Sequence, residues 1–340
     1  MTEFFTEYGL FLLKAITVAG ALVFVIAAGA AASRKAGGQE RLEVESLNRK
    51  FRSHAQALQK AVLGKSRWKA VAKADKARDK AAAKSKGERP RTFVIDFKGD
   101  LKASAVQSLR EEVSAVLAVA GEGDEVVVRL ENYGGVVHEH GLGASQLARI
   151  RDQNIPLTVT VDKVAASGGY LMACVASKIV AAPFAILGSI GVIAQLPNFN
   201  RMLESHGVDF EQVTAGEYKR NVTMFGKNTD ADRAKLKEQL EDIHSLFKAA
   251  VAKFRPNLDL AKVATGEHWY GSRALELGLA DELKTSDALL AELVADRDLY
   301  SVSYKIRKPL QKRLMGNVDD VLEKLDAAGW RRRFESRLPR

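Results

Sequence analysis

Beyond residue 91, short runs of β-branched and aromatic residues alternate with stretches of helical periodicity. The first three runs are TFVIDF, EVVVRLE and PLTVTVD, and helical stretches at residues 104–120 and 142–151 separate them. Strands that alternate with helices of this length are typical of right-handed βαβ units. The pattern therefore predicts an α/β body built on a mostly parallel sheet.

Further strands are predicted at KIVAAP, around SIGVIAQ and at DFEQVT, and a long polar helix is predicted at residues 230–254. Residues 179–196 contain no charged side chain, so a membrane span is an alternative interpretation of that stretch. Pro183, Gly188 and Gly191 interrupt it, however, and buried parallel strands have the same composition. We expect core strands there.

The amino-terminal region contains a long apolar run. Residues 15–32 carry no charge, and this stretch is long enough to span a bilayer. A cleavable signal peptide is the alternative, because the run ends in small residues. The acidic leader with Glu3 and Glu7 and the length of the run instead favour a retained anchor, with residues 9–32 in the lipid bilayer.

Charge is distributed unevenly along the chain. Residues 33–91 carry 18 basic and six acidic side chains, a net charge of +12, and residues 305–340 carry 11 and five, a net charge of +6. The stretch between them has a net charge of −7, so the overall charge of +10 does not indicate a nucleic-acid partner. The basic flanks either contact anionic lipid or only aid solubility.

These observations predict that the chain is divided into four regions. Residues 1–32 form a membrane anchor, residues 33–91 a basic juxtamembrane helix and linker, residues 92–304 the globular body, and residues 305–340 a basic amphipathic tail. The basic residues that follow the anchor favour a cytoplasmic body by the positive-inside rule.

Three glycine-marked turns follow predicted strands. ENYGG contains Gly134 and Gly135, AASGG places Ser167 before Gly168, and TAGEYKRN places Lys219 beyond a third strand. Glycine turns expose backbone N–H groups, and such groups near a serine hydroxyl can hold an oxyanion. A lysine can serve as the base for that serine only in its neutral form, which requires desolvation or a nearby positive charge.

The ordered segments RLENYGG, AASGGYLMA, LGSIGV and GEYKR, with TGEHWYGSRALELGLADEL after them, resemble the signal peptide peptidase A (protease IV) family of Ser-Lys peptidases. The anchor and basic linker are most similar to the SohB-type members of the bacterial inner membrane. The resemblance covers residues 91–284 and implies a ClpP/crotonase-like spiral of ββα units. It also implies a ring-like homo-oligomer, peptide or unfolded protein substrates such as signal-peptide remnants, and no metal or cofactor.

Residue by residue, the resemblance implies Ser167 as nucleophile and Lys219 as general base. Gly135 and Gly168 would donate backbone N–H groups to the oxyanion, and Ser189 would orient the lysine. The usual Ser-Pro-Gly-Gly of the family is replaced here by residues 132–135, Asn-Tyr-Gly-Gly. The resemblance also implies substrates at or beyond the outer membrane face, whereas the positive-inside rule favours a cytoplasmic body.

Other interpretations remain open. A Ser-His-Asp triad would pair Ser167 with His206, His244 or His268, although the G-x-S-x-G elbow is absent. His138 and His140 form an H-x-H pair without a further ligand at recognisable spacing, so we expect no metal site. The single cysteine, Cys174, lies in a predicted apolar helix, and we expect it to be buried and without a catalytic role. An acyl-CoA enzyme of the crotonase type and a non-catalytic membrane scaffold are the alternative functions.

Overall fold

The computed structural model describes residues 40–84 and 89–306, together with scattered residues between 9 and 21. Most of the predicted anchor and all of the tail beyond residue 306 therefore lie outside the described residues. Among the residues that are described, no helix combines the length and the apolar character needed to cross a bilayer. Residues Leu42–Tyr304 form one compact unit.

The described strands are short, and most coincide with runs of β-branched residues. They are β1 (Arg41–Ser46), β2 (Arg91–Lys98), β3 (Glu125–Glu131), β4 (Leu157–Val161), β5 (Val164–Ala166), β6 (Lys178–Ala181), β7 (Ile186–Gly188), β8 (His268–Tyr270), β9 (Glu282–Leu283) and β10 (Asp298–Lys305). Seven strands form the main sheet in the order β1-β10-β2-β3-β4-β6-β9, and β5, β7 and β8 form a second sheet.

The helices described between residues 40 and 306 connect or flank these strands. They are α1 (Leu47–Val62), α2 (Lys65–Lys84), α3 (Val106–Leu117), α4 (Val137–Asp152), α5 (Gly168–Ala173), α6 (Asn200–Ser205), α7 (Asp230–Phe254), α8 (Leu260–Val263), α9 (Gly271–Glu276) and α10 (Ser286–Asp296). The long helix α7 has the bounds that the sequence predicts. It begins at a capping box in which Thr229 and Asp232 each accept the other's backbone N–H.

The main sheet is covered on both faces. Strand β2 pairs in parallel with β3 and β10, and β4 pairs in parallel with β3 and β6. Along β2, Phe93 and Ile95 join the larger apolar cluster with Leu109 of α3, whereas Val94 joins a second cluster with Leu290 of α10. Successive residues of a strand point to opposite faces, so a doubly covered strand is apolar at consecutive positions. This explains the run TFVIDF and confirms the mixed α/β prediction.

Two predicted strands differ from the structure. The strand expected around SIGVIAQ lies earlier, at Ile186–Gly188, and residues 209–214 (DFEQVT) are exposed and form neither helix nor strand. A strand requires a neighbouring strand to satisfy its backbone N–H and C=O groups, and within the described chain none pairs with residues 209–214. The structure also adds β1, a short polar strand within the stretch predicted as helix and linker, and β10.

The carboxyl ends of β3, β5 and β7 lie together. Asn132, the residue after β3, forms a parallel bridge with Ala165 of β5, and Ala166 is the register partner of Gly188 in β7. The glycine turn after β3 and the serine turn after β5 are therefore held side by side, although β3 and β5 belong to different sheets.

Candidate active site

Ser167 is the single residue between β5 and α5, and its backbone adopts an uncommon conformation. Its φ is 53° and its ψ is −122°, a region that is unfavourable for residues with a Cβ atom. Its N–H donates to the carbonyl of Gly188 at 2.8 Å, and its own carbonyl accepts the N–H of Leu171 at 3.0 Å. The side chain is half-buried. The surrounding strand and helix thus hold a serine hydroxyl at the start of a helix.

The turn with Gly134 and Gly135 packs directly against the serine turn. Gly134 has a φ of 87°, and a Cβ atom there would lie 2.8 Å from Ser167 Cβ and 2.8 Å from the Gly168 nitrogen. A Cβ atom at Gly135 would lie 2.2 Å from the carbonyl oxygen of Leu101. Neither position has room for a side chain, so glycine is required at 134 for the close approach to Ser167 and at 135 for the close approach to Leu101.

Ser189 follows β7 directly and is held by the neighbouring strand. Its φ is 52°, and its N–H donates to the carbonyl of Glu267 at 2.6 Å. Because Gly188 accepts the Ser167 N–H, Ser189 lies beside the serine turn. The structure therefore brings together Ser167, Ser189 and the two glycine turns that the sequence singles out.

Lys219 lies in a different environment. It belongs to residues 206–229, between α6 and α7, which form turns and extended chain without a helix or strand. We call this stretch the lysine segment. The backbone N–H of Lys219 contacts the Gly216 carbonyl at 3.2 Å, and its side chain is exposed. Among the described residues, no hydrogen bond joins the Lys219 side chain to Ser167 or Ser189.

Two residues that the sequence did not assign to the site lie beneath it. Asn132 and His140 are both fully buried. Asn132 Oδ1 accepts the Gly134 N–H at 2.9 Å and lies 3.2 Å from His140 Nε2. Two signals in the sequence mark this pair: the departure from the usual family motif at Asn132, and the polar His140 where α4 faces the core.

The other histidines have separate contacts. His206 Nδ1 lies 2.8 Å from the Met202 carbonyl, and His244 Nε2 lies 3.2 Å from the Ile190 carbonyl. His268 is the register partner of Gly188, one strand away from the serine turn, and burial lowers its pKa below the ordinary value.

Metal-ligating residues are scattered in the described part of the chain, which contains no group of three or more His, Cys, Asp or Glu side chains arranged around one point. His138 is exposed and contacts only Glu139, its sequence neighbour, at 3.7 Å. Cys174 is buried, and burial raises the pKa of its thiol to about 12, so it remains protonated.

Comparisons with known proteins identify the family of this chain. Two family models match the chain. The model described as "Peptidase family S49 N-terminal" matches residues 3–147, and the model described as "Peptidase family S49" matches residues 149–300. "Probable protease SohB" of Haemophilus influenzae is 43% identical over 328 residues, covering 92% of each chain. "Probable protease SohB" of Buchnera aphidicola subsp. Acyrthosiphon pisum is 51% identical, covering 68% of this chain and 69% of its own.

Among solved structures, the 1510-N membrane-bound stomatin-specific protease, as a lysine-to-alanine mutant with a substrate peptide, matches with a TM-score of 0.38 and 12% identity. The match covers 68% of this chain and 99% of that chain. The two family matches together span most of the sequence and favour a peptidase over the acyl-CoA enzyme and the scaffold. The chain belongs to peptidase family S49 and is a peptidase with SohB proteases among its relatives.

Proposed function

We propose that this peptidase is a membrane-anchored serine endopeptidase in which Ser167 is the nucleophile and Lys219 the general base. The observation that carries the proposal is the backbone of Ser167, which has a positive φ and packs against the glycine turn. A serine held in such a conformation at a strand-to-helix turn presents its hydroxyl beside backbone N–H groups. Its substrates are peptides or membrane-associated protein segments such as signal-peptide remnants.

In the proposed reaction, Ser167 Oγ attacks the carbonyl carbon of the scissile peptide bond while the neutral amine of Lys219 takes the hydroxyl proton. The N–H groups of Gly135 and Gly168 stabilise the oxyanion that forms. Lys219 then gives its proton to the leaving nitrogen. Water attacks the acyl-serine, Lys219 takes the proton of that water, and Ser167 regains a proton as the acid product leaves. Ser189 orients the lysine.

The environment of Lys219 supports an oligomer that completes the dyad. Desolvation favours the neutral form of a lysine, yet Lys219 is exposed in one chain. The lysine segment also exposes large apolar side chains, including Val213, which is 97% exposed, and the contacting rings of Phe210 and Phe225. Exposed apolar groups of this extent mark contact surfaces. In the proposed ring-like homo-oligomer, the lysine segment of one chain covers Ser167 of its neighbour.

The body corresponds to a ClpP/crotonase-like spiral, a proposal supported by the parallel order of its strands and by the family membership. Residues 9–32 anchor the chain as a single span in the bacterial inner membrane, and the basic flanks contact anionic lipid. The charge distribution favours a cytoplasmic position for residues 92–304.

Labelling of the full-length protein in detergent with a fluorophosphonate probe tests the nucleophile. We expect covalent labelling at Ser167, loss of labelling and of peptide hydrolysis in Ser167→Ala, and retention of both in Ser145→Ala. Ser145 is a matched control because it is exposed on α4, where its hydroxyl donates only to the Gly141 carbonyl. Undiminished hydrolysis by Ser167→Ala would contradict the proposal.

A further inference from the structure

Asn132 connects the two turns of the site through its backbone. It follows β3, and its N–H donates to the Val164 carbonyl at 2.9 Å. Its carbonyl accepts the Ala166 N–H at 3.0 Å. Asn132 is therefore attached to the strand that leads into Ser167, and any shift of its side chain relative to this strand would also shift the glycine turn.

The side chain of Asn132 holds that glycine turn. Its Oδ1 accepts the Gly134 N–H at 2.9 Å, the two-residue contact of an Asx turn. Because a backbone N–H can only donate, this contact defines which end of the carboxamide is the oxygen. The Nδ2 atom then lies 3.4 Å from the sulfur of Met172.

His140 supports Asn132 from the first turn of α4. Its Nε2 lies 3.2 Å from Asn132 Oδ1, and its Nδ1 lies 2.9 Å from the Val136 carbonyl. Burial lowers the pKa of His140, so the ring is neutral near pH 7. The hydrogen bond to the Val136 carbonyl and the carboxylates of Asp100 and Glu139 oppose this shift. A neutral ring has one N–H, which donates either to Asn132 Oδ1 or to the Val136 carbonyl.

The imidazole also lies directly against the turn that carries Ser167. A Cβ atom at Gly168 would be 2.5 Å from His140 Cγ, so the ring and the Gly168 backbone are in contact. The pair consequently touches both sides of the site: Asn132 contacts Gly134 through a hydrogen bond, and His140 contacts Gly168 through packing.

We propose that Asn132 and His140 are positioning residues that hold the N–H groups of Gly135 and Gly168 at the distance required for the oxyanion. The proposal rests on the proposed function, since it assumes an oxyanion at this place. Small displacements of such donors lower kcat, because the donors act mainly on the transition state. Donors that act on the transition state contribute little to substrate binding in the ground state, so KM is expected to change little.

The variants Asn132→Ala and Asn132→Ser test the acceptor at residue 132. Both leave almost the same cavity, but a serine hydroxyl can accept the N–H two residues ahead, in the same kind of turn. We expect kcat to fall about 100-fold in Asn132→Ala, and about tenfold or less in Asn132→Ser, with KM within about twofold of wild type in both.

The variants His140→Gln and His140→Asn test whether residue 140 donates a hydrogen bond to Asn132 Oδ1. A glutamine amide places its NH₂ near the Nε2 position and can still donate to Asn132, whereas an asparagine amide reaches only the Nδ1 position beside Val136. We expect His140→Gln to keep at least about tenfold more kcat than His140→Asn, although both remove the aromatic ring. Equal kcat values for this pair would overturn the role of His140.

Hydrogen exchange of the Gly134 amide, measured by NMR on full-length protein labelled with ¹⁵N-glycine, supplies a readout independent of activity. We expect exchange at least about tenfold faster in Asn132→Ala than in Asn132→Ser. Equal kcat values for these two variants would overturn the proposal whatever their exchange rates. If hydrolysis does not depend on Ser167, the proposed function and the oxyanion role fail together, whereas the exchange rates still report whether Asn132 holds the turn.

Discussion

The backbone N–H of Ser167 donates to the carbonyl of Gly188 at 2.8 Å, which attaches the serine turn to the end of β7. Gly188 in turn faces the ring of Trp269 on β8, since a Cβ atom there would lie 2.9 Å from the indole. The conformation of Ser167 therefore depends on all three strands of the second sheet. Three strands and one helix fix the position of a single hydroxyl group.

Replacement of Ser167 by glycine is expected to raise stability while activity is lost. A residue with a Cβ atom at φ 53° and ψ −122° carries backbone strain that glycine does not. We expect the free energy of unfolding of Ser167→Gly to exceed that of Ser167→Ala by about 1 kcal/mol. Urea denaturation of the two inactive variants measures this difference, and equal values would argue against a strained serine.

Introduction of a methyl group at Gly134 is expected to impair catalysis more than folding. The new Cβ atom would approach Ser167 Cβ and the Gly168 nitrogen at 2.8 Å, which displaces one turn from the other. We expect kcat of Gly134→Ala to fall about 100-fold or more.

Gly141→Ala is the matched control for this change. Gly141 lies within α4, and a Cβ atom there meets nothing within 4 Å. Alanine is the better helix former, so this variant is expected to be more stable by roughly 0.5–1 kcal/mol with unchanged kcat. A similar loss of kcat in both variants would show that the effect at Gly134 is not specific to the turn.

The ion pair of Asp281 with Arg255 is expected to stabilise the body in a pH-dependent manner. The Nη1 and Nη2 atoms of Arg255 each donate to the carboxylate at 2.7 Å, and the Ile179 N–H donates to it at 2.7 Å. Burial alone would raise the pKa of Asp281, but these hydrogen bonds outweigh it and hold the pKa below its ordinary value. Asp281→Asn is expected to lower the free energy of unfolding by about 2–4 kcal/mol at pH 7.

The sign of the pH effect follows from this lowered pKa. The stabilisation is complete above the unfolded-state pKa of about 3.9 and is lost as the pH falls through the lower folded-state value. The difference in melting temperature between wild type and Asp281→Asn should therefore narrow as the pH falls from 7 to 3. A difference that stays constant over this range would contradict the assignment.

Mixed oligomers test whether the dyad is shared between chains. Ser167→Ala and Lys219→Ala are each expected to be inactive, but chains mixed before assembly should regain up to about a quarter of wild-type activity. In a random head-to-tail ring, about one interface in four pairs an intact serine with an intact lysine. An active monomer in detergent, or a mixture without recovered hydrolysis, would exclude the shared dyad.

Reporter fusions after Pro309 test the membrane side. The basic residues that follow the predicted anchor favour a cytoplasmic position, so a cytoplasmic reporter should be active and alkaline phosphatase inactive. Phosphatase activity at this position would place the body on the outer side of the membrane.

The sequence by itself determined the mixed α/β architecture and the position of the serine turn. Runs such as TFVIDF are apolar at consecutive positions because both faces of β2 are covered, and that property is visible in six residues. The glycines after Ser167 likewise indicated a close backbone approach, because only glycine leaves room for it. The bounds of α7 were predictable since its capping box and its length are local features.

Only the tertiary structure decided which distant groups meet. The burial of His140 depends on its contact with Gly168, and the role of Asn132 depends on β5, which lies more than 30 residues further along the chain. The predicted strand at residues 209–214 failed for the same reason, because β propensity does not reveal whether a neighbouring strand exists to pair with it. Local preferences can be read from short windows of sequence, whereas contacts between separate turns arise only when the sheets and helices pack together.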